Sequence, residues 1–219
     1  MQLKPSDVPQ SNQEDRLLAS IKTTAISRYN ASNRLARQGR FTFSVSTLFS
    51  LGLIFVPLMQ LAKAPLLLSG DVLSAIQIFL AVAILVYSII IGFARYQIRS
   101  EQLNDSGDKL KSLIRELRSA GSADDGGDAL SEFRHRYESI IADVENHERR
   151  DYILTILRSP DLFELTREGR IYHWIKFCFA ACLSYLPSLA LVAIEVVLIT
   201  DMFGATRIFT PYLTASGGA

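Results

Sequence analysis

Two long uncharged runs separated by nine residues constrain this chain more than any other feature. Phe41 to Ala62, FTFSVSTLFSLGLIFVPLMQLA, and Val72 to Ala94, VLSAIQIFLAVAILVYSIIIGFA, contain no charged side chain. At 1.5 Å rise per residue, each covers roughly 33 Å as a helix, enough for a hydrocarbon core about 30 Å thick. Backbone amides in lipid must be satisfied within the segment, so both runs must be helical. A third run, Phe177 to Thr200, is equally long and carries one charge, Glu195. The composition agrees with apolar blocks set in ordinary polar chain: 49% of the 219 residues are hydrophobic and the net charge is +1. That balance gives no global electrostatic reason to bind nucleic acid.

The basic residues orient the chain. Of 23 Lys and Arg, 21 lie in residues 1–40 or 95–176, leaving Lys63 in the loop and Arg207 in the tail. The positive-inside rule then puts the N-terminus and the central segment in the cytoplasm of an inner-membrane, multi-pass protein. No secretory signal is expected, because the first apolar run starts only at residue 41 behind a charged leader. The division is therefore a cytosolic N-terminal helix over 1–40, a two-helix transmembrane hairpin over 41–94, and a cytosolic helical region over 95–176. A candidate third transmembrane helix over 177–200 and an outward-facing tail over 201–219 complete it. No segment alternates as a strand does, and the fold class is an all-α membrane protein.

Within the polar segments the periodicity is helical. Leu17, Leu18, Ile21, Ala25 and Leu35 mark one face of the leader. Tyr96, Leu103, Leu110 and Leu117 recur every seven residues, on a helix expected to continue straight out of the second span. AGSADDGGD, Ala120 to Asp128, reads as a turn. Leu130, Phe133, Tyr137, Ile140 and Val144 then form a seam expected to pack on the helix bearing Leu110 and Leu117. A short helical stretch, Asp151 to Leu157, ends at Ser159-Pro160.

Chemistry is sparse. No phosphate-binding loop, nucleophile elbow or zinc-protease signature is present, and Cys178 and Cys182 make neither a disulfide framework nor a metal site. The reading is non-enzymatic, with no cofactor and no metal. Two polar clusters stand out. In SRYNASNRL, Arg28, Asn30 and Arg34 precede the first span and are candidates for a signal or partner surface; basic side chains there commonly meet lipid phosphates, and the alternative is that they cap the cytosolic hairpin. In ENHERRDY, Asn146, His147, Asp151 and Tyr152 form either a recognition surface or a helix junction with solvated charges. Small-residue stripes at Thr42, Ser46 and Ser50, at Ser88 and Gly92, and at Ala180, Ser184 and Ser188 suit helix packing. Glu195 either snorkels to the interface or serves a pore or gate, since an ionisable group in a span is a functional candidate by default.

The pairing of an RxNAxxRL-like motif before the first span with an NHxxxDY-like motif after the second resembles the SLATT family. The motif residues here are Arg28, Asn30, Ala31, Arg34 and Leu35, then Asn146, His147, Asp151 and Tyr152. These small membrane proteins occur beside nucleotide-synthesising and nucleotide-sensing domains in bacterial conflict systems. One subgroup is linked to reverse transcriptases. The resemblance covers about residues 10–160 and implies a pore-forming effector of antiviral defence that kills or arrests the infected cell. It implies as partners the lipid bilayer, further copies of the chain, and a nucleotide second messenger or a partner nucleotidyltransferase or reverse transcriptase. The third apolar run departs from the two-span pattern and leaves the pore-lining helix open. The alternative reading is a non-conducting scaffold that recruits a cytosolic enzyme through the Leu130 to Val144 seam.

Overall fold

The computed structural model describes residues 13–120 and 127–214. The turn expected over Ala120 to Asp128 falls mainly on residues 121–126, outside that range. Among the described residues the chain is helical throughout: α1 (Gln13–Leu61), α2 (Gly70–Ala94), α3 (Tyr96–Ala120), α4 (Gly127–Ala142), α5 (Arg149–Arg158), α6 (Arg167–Met202) and α7 (Thr210–Thr214). Three stretches, within α1, within α2 and within α6, are long and apolar enough to cross a membrane. The protein is an all-α, multi-pass membrane protein.

The leader and the first span, expected as separate pieces, form one helix of 49 residues. Gly39 alone does not end it, because a single glycine costs a helix interior only about 1 kcal/mol against alanine. The second span does not run on into α3. Arg95 takes a left-handed backbone, φ 47° and ψ 38°, and closes α2 there. At its other end α2 is capped by Ser69, whose hydroxyl accepts from Val72 N at 3.4 Å.

The described residues divide into two compact units, 13–37 with 96–120 and 127–182, and 38–95 with 183–214. The first, the polar-helix unit, has its core where Leu17, Ile21 and Ala25 of α1 meet Leu110, Leu113 and Leu117 of α3. The α4 seam packs on that core as its sequence suggests, through Leu130, Phe133, Tyr137 and Ile140. Tyr137 also reaches α1, its hydroxyl lying 2.8 Å from Thr24 Oγ1. These seam residues are half-buried rather than fully buried, since α4 lies on the outside of the α1–α3 pair. The seam is thus engaged within the chain, with its residues still partly exposed.

The second, the apolar unit, buries one face of α1 along Thr42, Val45, Phe49, Gly52 and Val56, with spacings of three and four residues. Its other faces are bare: Phe43 is 72% exposed, Phe79 69% and Phe93 82%. Side chains of this size stand outward at no cost when the surroundings are lipid. Tyr87 on α2 and Ser188 on α6 share a hydrogen bond of 2.8 Å, and the rings of Phe41 and Tyr185 meet edge to face. The three small-residue stripes fare differently. Thr42 and Ser50 turn their hydroxyls back onto the helix carbonyls of Gln38 and Ser46. Ser188 is buried, whereas Ser88 is exposed and a Cβ at Gly92 would touch nothing. The Ser88–Gly92 pair is therefore not a packing face within this chain.

Candidate functional site

The two polar motifs meet in the polar-helix unit. A helix repeats every 3.6 residues, so Ser27, Asn30 and Arg34 share one stripe of α1, and Arg28, Ala31, Ser32 and Leu35 share the adjacent one. The first stripe lies against α5. Arg34 donates Nε and Nη2 to the two carboxylate oxygens of Asp151, both at 2.9 Å, and Nη1 sits 3.1 Å from Glu148 Oε1. This is the fork-on-fork geometry that a guanidinium and a carboxylate adopt when both are held rigidly. Burial opposes the guanidinium charge, but the Asp151 bonds, with the nearby Glu148 charge, raise the Arg34 pKa above its ordinary value. Asp151 is 1% exposed and also accepts from Glu148 N at 3.0 Å, tying off one free amide at the start of α5. One turn further on, Thr155 receives Asn30 Nδ2 at 3.0 Å and pairs with Ser27 Oγ at 2.9 Å.

The second stripe lies against α3. Ala31 and Leu35 pack on Leu103, and Ser32 pairs with Ser100 at 3.1 Å. Arg28 is 1% exposed and donates to Ser106 Oγ and, at 3.0 Å, to the Ile141 carbonyl, leaving Nε without a partner. Burial lowers its pKa, and no carboxylate bonds it. Beside it Tyr29 lays its ring over Gly107, where a Cβ would stand within 3 Å of the ring, and donates to Asp108 at 2.7 Å. Burial and that bond push the Tyr29 phenol up to about 12.

Of the two readings of Arg28 and Arg34, lipid phosphates and capping of the cytosolic hairpin, the bonds seen here are those of the second. Both are engaged inside the protein, Arg34 by the carboxylates of Asp151 and Glu148 and Arg28 by the Ser106 hydroxyl on α3 and the Ile141 carbonyl on α4. The ENHERRDY segment is a helix junction, but its central charge, Asp151, is buried rather than solvated. Of the residues singled out, the structure brings together Asn30, Arg34 and Asp151, while Arg28 bonds on the adjacent stripe to Ser106 and Ile141. Asn146 turns inward on its own loop, its Oδ1 accepting from His147 N at 2.9 Å. Tyr152 packs at the edge, its ring 6.3 Å from His147 and 6.2 Å from Phe163. Ser27 lay in the SRYNASNRL cluster without a role of its own, and Thr155, Ser106 and Gly107 lay outside both clusters. Only the first two carried a signal, at i, i+3, i+7 with Asn30 and Arg34 and at i, i+4 with Asp151.

His147 gives this joint a pH dependence. Burial lowers its pKa from 6.5, Asp151 opposes that shift, and Arg28 adds to it. The folded protein thus resists a proton that the unfolded chain accepts. Stability is complete above 6.5 and falls as the pH drops through the histidine range. Thermal melts of the parent and of His147→Gln at stepped pH should diverge below that value, the variant losing less. Parallel curves would remove His147 from the account.

In the apolar unit Glu195 is 3% exposed and sits on α1 at Gly52. A Cβ at position 52 would overlap the Glu195 carboxyl, so the carboxyl can occupy this position only beside glycine. Glu195 Oε1 is buried and has no hydrogen-bond partner. Near the end of α6, Asp201 is fully buried and accepts from Thr206 Oγ1, from Ile208 N at 3.1 Å, from Phe209 N and from Thr210 N at 3.0 Å. Gly204, at φ 76°, supplies the left-handed turn that brings these donors round.

The family model for the SMODS and SLOG-associating 2TM effector domain family 5 matches residues 10–201. It extends past residue 160, where the motif resemblance stopped, and takes in nearly all of α6. The third apolar helix thus lies inside the matched domain, although the family's description counts two membrane segments. No curated protein and no solved structure gives a match.

Proposed function

Because the chain belongs to the SMODS and SLOG-associating 2TM effector domain family 5, we propose that it is the pore-forming effector of a bacterial antiphage system, killing or arresting the infected cell. The observation that carries this reading is α1, one unbroken helix from Gln13 to Leu61 that bears both the Arg34–Asp151 joint and the first apolar span. A change at the joint is then covalently continuous with a membrane helix. Three helices of one chain do not enclose a wide aqueous channel, so conduction requires several copies, and the bare apolar faces leave room for such contacts. The skew of 21 of 23 basic residues supports an N-terminus in the cytoplasm of the inner membrane. There the polar-helix unit would receive its trigger, a nucleotide second messenger or a partner enzyme such as a nucleotidyltransferase or reverse transcriptase.

Membrane potential after induced expression tests this. Cells expressing the full chain together with its neighbouring genes should depolarise on phage infection before lysis, and cells carrying Arg34→Ala should not. A potential that holds while the protein accumulates in the membrane would favour a non-conducting anchor instead.

A further inference from the structure

Beside Glu195 the apolar unit carries a groove of about 390 Å³. Leu48, Leu51, Ile54 and Phe55 of α1 line one wall and Val196 and Ile199 of α6 the other. Its mouth opens among side chains that are about half exposed, Leu51 at 59% and Ile54 at 56%, on the surface that faces lipid. Its size falls in the range of small-molecule sites, roughly 300–1,000 Å³. We propose that this groove binds a small hydrophobic ammonium compound, with the apolar body between α1 and α6 and the cationic nitrogen on the Glu195 carboxylate.

Three observations select that chemistry. Glu195 is the only ionisable side chain lining the groove, and its Oε1 lies buried with no hydrogen-bond partner. Leaving such an oxygen unpaired in an apolar setting is unfavourable, and a bound donor or cation would relieve it. The chain offers no cation of its own at this depth, because residues 41–62, 72–94 and 177–200 contain neither Lys nor Arg. An anion would meet the carboxylate as a like charge, and an uncharged hydrocarbon would leave Oε1 unpaired. An ammonium compound suits the walls and, unlike a neutral donor, also balances the carboxylate charge at the floor. Gly52 belongs to the site as well, since its bare backbone lets the carboxyl sit at the groove floor rather than against a side chain.

The test is binding of radiolabelled dodecyltrimethylammonium to the full chain in phosphatidylcholine nanodiscs, with uptake by empty nanodiscs subtracted. The parent should show saturable binding that unlabelled dodecylamine displaces and that dodecanol and dodecyl sulfate, of the same chain length, do not. Glu195→Gln should weaken it at least about tenfold, the usual scale for losing a charged partner. Glu195→Asp, which keeps the charge, should retain part of it. The competition pattern is read on the parent protein, so it decides the matter even if the Gln variant fails to assemble. Absence of saturable binding, equal displacement by dodecanol, or a Gln variant that binds like the parent would each overturn the assignment. The measurement reads occupancy and not conductance, so its outcome is separate from that of the pore reading.

Discussion

Arg34→Ala should destabilise the polar-helix unit by about 3–5 kcal/mol, the usual cost of removing one partner from a buried ion pair. The loss is large because Asp151 stays behind, 1% exposed, with both oxygens stripped of their guanidinium. Asp151→Ala should cost a similar amount by a different route, freeing the Arg34 fork and also the Glu148 amide that starts α5. The double variant should recover part of the summed loss, since no charge is then left buried and unpaired. Denaturation of the purified chain in detergent measures all three, and hydrogen exchange over residues 27–35 and 149–158 locates the effect. An Arg34→Ala variant within about 0.5 kcal/mol of the parent, the range of ordinary surface changes, would mean that this pair does not hold α5 on α1.

Asp201→Ala should release the end of α6 and the turn after it. One carboxylate takes four donors there, three of them backbone amides of residues 208–210. Hydrogen bonds to a charged group contribute about 1.5–3 kcal/mol each and are not additive, so a local loss of about 3 kcal/mol or more is expected. Arg207 lies exposed inside this turn and serves as the reporter. Trypsin should cut after Arg207 much faster in Asp201→Ala, and at an intermediate rate in Asp201→Asn, which keeps one acceptor oxygen. Cleavage at the parent rate would show that the helix end and the loop from Leu67 hold the turn without Asp201. That loop does contribute one bond of its own, from Leu67 N to Met202 O at 3.1 Å.

The difference between Asp201 and Glu195 shows where reading along the chain stops. Six positions apart in one apolar stretch, both are carboxylates and both are buried. Asp201 finds four donors because Gly204 folds the following residues back over it, whereas Glu195 faces an apolar wall and a glycine on another helix. The determinant at Asp201 is local, with Gly204 three residues on, whereas the determinant at Glu195 is a glycine on another helix. Sequence spacing did identify Arg34 and Asp151 as notable, but not as partners. They stand 117 positions apart, on helices whose approach is governed by the packing of α1 and α3.

What the sequence determined by itself is the helical, membrane-spanning character of the chain and the faces of its polar helices. Long uncharged runs and seven-residue repeats act locally, through backbone hydrogen bonds that must close within each segment and through side chains recurring once per turn. The tertiary structure alone decided the fate of the charges. A guanidinium placed among other arginines and asparagines in the sequence reads as solvated or lipid-facing. Whether it is so depends on whether an acceptor from a distant segment arrives within about 3 Å, and that distance is set by the packing of whole helices.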